Sequence, residues 1–131
     1  MLQITKKTDY GLLFMTALAK GNPDEYVPLR KIAAAQNLPY KFLSQIAIEL
    51  RTANLVQSKE GLGGGYRLKL PATKINLATI IQTLEGPIAP TSCLRGKYCP
   101  RAPHCSHKKV MEKLSQVVID SLSHYTLKDL S

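Results

Sequence analysis

Apolar residues recur with a helical period from the start of the chain. Tyr10, Leu13, Phe14, Ala17 and Leu18 follow the i, i+3, i+4, i+7, i+8 spacing, which predicts a helix over roughly 5–20. Thr5 or Thr8 can cap it and Gly21 ends it. Leu12, Met15 and Ala19 lie on another side, so this helix is expected to be buried on more than one face. "GNPDEY" is a turn by composition, and Pro28 then opens a short helix with Leu29, Ile32 and Ala33 inward. After a brief turn at Asn37 and Leu38, Pro39 opens "PYKFLSQIAIELRTANL". Leu43, Ile46, Ala47 and Leu50 form its core stripe, whereas Lys41, Ser44, Gln45 and Ile48 form a second, mostly polar stripe.

Two helices joined by about three residues, the second with polar side chains near its start, form a helix-turn-helix pattern. The period then changes. Tyr66, Leu68 and Leu70 alternate with Arg67 and Lys69, and Gly61, Gly63, Gly64 and Gly65 permit a tight turn before them. A hairpin directly after a helix-turn-helix is a wing, with Lys59, Arg67 and Lys69 supplying positive charge. A phosphate-binding glycine loop is excluded because a strand, not a helix, follows the glycines. Residues 75–84 predict a further helix capped by Asn76 and closed by Gly86 and Pro87. Residues 86–107 show no helical or strand period. The last helix begins near Lys108, with Leu114, Val117, Val118, Leu122 and Tyr125 along one seam. That seam suits either the same helix of a second subunit or the chain's own domain. The fold class is mainly α: a winged helix-turn-helix with a two-stranded wing and a long C-terminal helix.

Charge sharpens the picture. The formal net charge is +9 in 131 residues, and the excess is shared by both halves. A basic protein of this size attracts polyanions, nucleic acid above all. Two Phe, six Tyr and no Trp argue against a stacking platform for single strands. No run of about 18 apolar residues is present, so no membrane span is expected. "MLQITKKTDY" lacks the apolar centre of a signal peptide, which makes a cytoplasmic location the expectation.

Every cysteine lies in "CLRGKYCPRAPHC": Cys93, Cys99 and Cys105, in C-x₅-C-x₅-C spacing. Three thiols are too many for one disulfide and fit neither a C-x-x-C redox pair nor a Cys–His–Asp nucleophile, so an enzyme is not expected. Grouped soft ligands suit zinc, copper(I) or an iron–sulfur cluster. Zinc sites favour shorter C-x₂₋₄-C spacing, and wider spacing suits a larger, multi-iron object. No acid occurs from 86 to 109, whereas Arg95, Lys97, Arg101, Lys108 and Lys109 would offset the negative charge of a thiolate-bound group. His107 is a candidate fourth ligand, for zinc in particular. His104, directly before Cys105, is expected to point away.

"ITKKTDYGLL", "LRKIAAAQNLPYKFLSQIAIEL", "GLGGGYRL", the three-cysteine loop and the terminal "HYTLKDL", in this order, resemble the iron–sulfur-cluster-sensing winged-helix regulators, the family of IscR, NsrR and RirA. The resemblance covers essentially the whole chain. It implies a homodimer bound to a palindromic double-stranded DNA operator, and a transcriptional regulator, in the main a repressor. The cluster would sense iron, redox or nitric-oxide status and control iron–sulfur biogenesis or iron homeostasis. It implies Cys93, Cys99 and Cys105 as cluster ligands. The histidine that IscR-type members place three residues after the last cysteine is Lys108 here. The aspartate that NsrR-type members supply from the other subunit matches Asp9, which favours a 4Fe-4S over a 2Fe-2S cluster. Pro39, Tyr40, Lys41, Ser44 and Gln45 match the family's DNA-contact positions, joined by Lys59 and Arg67 of the wing. Where relatives carry arginine before the glycine turn this chain has Glu60, so Lys59 stands in. The expected units are a winged helix-turn-helix over 1–85, a cluster-binding loop over 86–107, and a dimerisation helix with tail over 108–131. The alternative is a zinc-stabilised or metal-free winged-helix regulator.

Overall fold

The computed structural model describes residues 3–131. Helix α1 spans Lys6–Lys20, and its N-cap is Thr5, whose hydroxyl accepts from the Thr8 N–H at 3.2 Å. Helix α2 spans Leu29–Gln36 and α3 spans Tyr40–Thr52. The turn between them is set by Asn37 in the left-handed region at φ 54°. Its N–H and that of Leu38 return to the Ala34 and Ala33 carbonyls, satisfying groups the end of α2 leaves open. Pro39 proves to be the N-cap of α3 and not its first helical residue, because its ψ of 121° is extended.

Strands β1 (Val56–Lys59) and β2 (Gly65–Leu68) pair antiparallel, with Val56 opposite Leu68 and Lys59 opposite Gly65. Val27, just ahead of α2, extends this hairpin by exchanging backbone hydrogen bonds with Tyr66 at 2.8 and 2.9 Å. β2 stops at Leu68, so Leu70 falls outside the alternation and lies exposed. Helix α4 (Leu77–Glu85) begins at Asn76, whose side chain accepts from the Thr79 N–H at 2.9 Å.

The core lies between α1, α2, α3 and α4. Phe14 and Met15 of α1, Leu43, Ile46 and Leu50 of α3, and Ile80 of α4 are fully buried. Each such side chain contributes about 1.5–3 kcal/mol by leaving water. Tyr66 joins from the wing, meeting Phe14 edge to face at 5.8 Å. The stripes expected in α2 and α3 are buried; of the one expected in α1, Phe14 and Leu18 are buried, Tyr10 and Ala17 are half-buried and Leu13 is exposed, because α1 turns Met15 into the core instead.

The loop after α4 is less formless than its sequence implies, because two short 3₁₀ turns, Ser92–Arg95 and Ala102–His104, give it shape. Helix α5 then runs from Lys108 to Ser123, and none of its residues is buried. Val110, Leu114 and Val117 stand exposed along it. After α5 the chain turns back onto the first unit. Thr126 bridges to Asn76, the Leu127 N–H donates to the Ile75 carbonyl at 2.8 Å, and Leu127 is fully buried. A capping box between Thr126 and Asp129 closes the four-residue helix α6, Leu127–Leu130. The C-terminal tail is thus a clasp on the helical core. No helix among the described residues is long and apolar enough to cross a membrane.

Candidate nucleic-acid interface and thiol centre

The start of α3 carries the predicted reading residues. Pro39, Tyr40, Lys41 and Gln45 are exposed and Ser44 is half-buried, while Leu43, Ile46 and Ala47 between them anchor the helix in the core. The 3.6-residue period alone produces this split. α3 is also tied to α1 by the half-buried ion pair Lys7–Glu49 at 2.8 Å, worth about 1 kcal/mol. Arg30 of α2 lies over the Tyr40 ring, 4.2 Å from its centroid, across the three-residue turn. No local pattern signals this pair, because Arg30 and Tyr40 lie on different helices.

On the wing, Lys59 and Arg67 behave differently. Lys59 is exposed, at 6.0 Å from the Tyr26 ring. The Arg67 guanidinium is occupied by the protein itself. It stacks on Tyr26 at 4.5 Å, donates to the Asp24 carbonyl at 3.1 Å and, with the Gln57 amide turned to suit both groups, donates to its oxygen at 2.7 Å. Arg67 therefore braces the wing against the segment before α2. Lys69 donates to Asn54 at 3.0 Å, and only Lys59 of the three wing cations makes no hydrogen bond among the described residues.

The three cysteines are free, half-buried thiols on one open hollow of ≈ 680 Å³. Thr91, Tyr98, Pro100 and Arg101 share its wall, and no Asp or Glu does. The Cys93 Sγ lies 3.2 Å from the Thr91 hydroxyl. His104 and His107 are both among the residues lining the hollow, His104 at the end of the 3₁₀ turn Ala102–His104. Among the described residues, no group of three His, Cys, Asp or Glu side chains is placed to hold a single metal ion. Asp9 is exposed in the first turn of α1 and is not among the residues lining the hollow.

The loop is fastened near its first thiol. The Arg95 Nε donates to the Ala89 carbonyl at 3.1 Å. Glu85, at the end of α4, accepts from the Thr5 N–H at 2.9 Å. Partial burial pushes the Glu85 carboxyl up, but the Thr5 hydroxyl and N–H and the charge of Arg95 outweigh burial and hold it below the usual carboxylate range. Glu85 thus links the cap of α1 to the end of α4, and feels the cysteine loop through the charge of Arg95, with which it forms no ion pair among the described residues.

A family model described as "Rrf2: Iron-dependent Transcriptional regulator" matches residues 4–131. The regulator NsrR of Bacillus licheniformis is 30% identical over 98% of this chain and 92% of its own length. The regulator IscR of Vibrio vulnificus is 31% identical over 98% of this chain and 77% of its own length. Among solved structures, CymR, described as the global cysteine regulator of B. subtilis, superposes with a TM-score of 0.79 at 34% identity, covering 99% of this chain and 96% of that one.

Proposed function

The chain belongs to the Rrf2 family of transcriptional regulators, so it is a DNA-binding protein and not an enzyme, and we propose that it is an iron–sulfur-dependent regulator acting as a homodimer on a palindromic operator. The observation that carries the cofactor reading is the hollow with three free thiols on its wall. Soft donors gathered at one opening, with no carboxylate among them and Arg101 beside them, suit an anionic cluster. Cys93, Cys99 and Cys105 would hold it, with the partner subunit's Asp9 as the fourth ligand of a 4Fe-4S cluster. The cluster, when bound, supplies a redox- and nitric-oxide-sensitive group that thiolates alone lack.

The protein's own part is transmission. Ordering 93–105 fixes Arg95, whose charge acts on Glu85, and Glu85 accepts from the Thr5 N–H at the start of α1, which is packed on α3. The exposed Val110, Leu114 and Val117 of α5 suit a second copy of the same helix. Two reading helices then meet DNA at a fixed spacing, and a small change in that spacing alters operator affinity. Pro39, Tyr40, Lys41, Ser44 and Gln45 read or position the duplex, Lys59 reaches the backbone, and Arg67 contributes by holding the wing. The regulated genes would be those of iron–sulfur assembly or iron homeostasis, with repression as the mode.

A second reading, a regulator without a cluster, is favoured by the likeness to CymR. Iron and acid-labile sulfide analysis of anaerobically purified protein separates the two. The expected result is a brown protein with iron and sulfide in equal amounts, and a colourless Cys99→Ala variant with unchanged helix content by circular dichroism. Colourless native protein with free thiols establishes the second reading, and stoichiometric zinc establishes a zinc site.

A further inference from the structure

We propose that Arg30, stacked on Tyr40, is a preassembled clamp for one phosphate of the DNA backbone. The inference rests on DNA binding through α3 and adds to it a contact from the preceding helix. Three observations carry it. First, Arg30 is exposed in the first turn of α2 and makes no hydrogen bond or ion pair among the described residues; the one ion pair found there is Lys7–Glu49. Second, its guanidinium carbon sits 4.2 Å from the Tyr40 ring centroid. Stacking satisfies the flat face of the guanidinium and limits its rotamers, but leaves the N–H edge open. That edge is the fork that matches two phosphate oxygens. Third, Tyr40 is the first residue of α3 and Lys41 follows it, both exposed. The clamp therefore stands at the mouth of the reading helix. In a helix-turn-helix the earlier helix crosses the backbone while the second enters the groove, so a cation on α2 meets phosphate and not base.

Arg67 shows what the same stack looks like when it is structural. Its guanidinium also covers a tyrosine ring, but its N–H groups are taken by the Asp24 carbonyl and Gln57. Arg30 has the stack without those acceptors. Sitting in the open with its donors unmade, it is suited to a ligand and not to a fold contact.

A phosphate contact is independent of sequence, so no operator need be known. The probe is a fluorescein-labelled, mixed-sequence duplex of about 40 base pairs, with affinity read by anisotropy from about 50 to about 200 mM KCl. Each phosphate neutralised steepens the log–log salt slope by about 0.9. Over that fourfold rise in salt the native protein should therefore lose about 3.5-fold more affinity than Arg30→Ala. Tyr40→Leu, which keeps the charge but removes the platform, should give part of that change. Lys113→Ala, which removes equal charge from α5, should keep the native slope. If Arg30→Ala keeps the native slope while Lys41→Ala lowers it, the clamp is wrong and the α3 interface stands. If neither variant moves the slope, the α3 interface fails as well. If Lys113→Ala flattens the slope as much as Arg30→Ala, the effect is general charge and the clamp is overturned.

Discussion

Replacing Gly65 with alanine destabilises the protein by about 3 kcal/mol and separates the wing from the segment before α2. Gly65 sits at φ 137°, where a side chain is strained, and an added Cβ would overlap the carbonyl of Val27 and crowd the nitrogen of Pro28. Those are backbone atoms and have no rotamer to give. Val27 can retreat only by breaking its two hydrogen bonds with Tyr66, at 2.8 and 2.9 Å, and Tyr66 is the wing residue packed on Phe14. Backbone strain of about 1–2 kcal/mol and the lost pairing both contribute. Gly63 is the internal comparison. It too has a positive φ, 73°, but an added Cβ meets nothing within 4 Å. Gly63→Ala should therefore cost only the strain, about 1 kcal/mol. Urea unfolding of the two variants checks this; equal costs would show that Val27 yields freely. Because Arg67 and Lys59 are placed by the same hairpin, Gly65→Ala should also weaken duplex DNA binding, whereas Gly63→Ala should affect it less.

Leu127→Ala carries the second large effect, a loss of about 3 kcal/mol and a melting temperature lower by about 10 °C. Leu127 is fully buried, and it packs in the same core as Phe14 and Ile75. Truncation removes most of its side chain from a site fixed by the Leu127–Ile75 backbone bond and the Thr126 capping box. The consequence reaches beyond stability. α5 is attached to the helical core by the 86–107 loop at one end, by this clasp at the other, and by packing against α4 between them. Once the clasp is loosened, movements at the thiols should no longer turn α5 against the reading helices. A drop of under about 1 kcal/mol by thermal unfolding would mean that the core closes without the tail. Full stability with a lost response would instead isolate the clasp as a lever.

The elements that were legible in the sequence are those whose signal is local. Leu43, Ile46, Ala47 and Leu50 recur on one face of a single helix, and their period is enough to place α3's core side and, by default, its polar side. Asn76 and Thr5 are legible as caps because a cap acts on its own helix. The features that stayed hidden depend on distant partners. Leu127 belongs to a helix of four residues, too short to show a period, and its burial is decided by Ile75 and α1. Arg67 reads as a DNA-facing cation on an alternating strand, and nothing near it in sequence shows that Tyr26 covers its face while Asp24 and Gln57 take its donors. The two 3₁₀ turns of the cysteine loop stayed hidden because proline-rich sequence carries no period.

The measurement that bears most directly on the account is operator affinity with and without the cluster. A duplex enriched from a random-sequence pool by the anaerobic protein supplies the probe. Its Kd is then compared, oxygen-free, between reconstituted protein, iron-stripped protein and the Cys99→Ala variant. A cluster-governed switch predicts a Kd that differs at least about tenfold between the first two, a coupling of about 1.4 kcal/mol, with Cys99→Ala held at the iron-stripped value under both treatments. One Kd common to all three, with iron bound in the first, contradicts it.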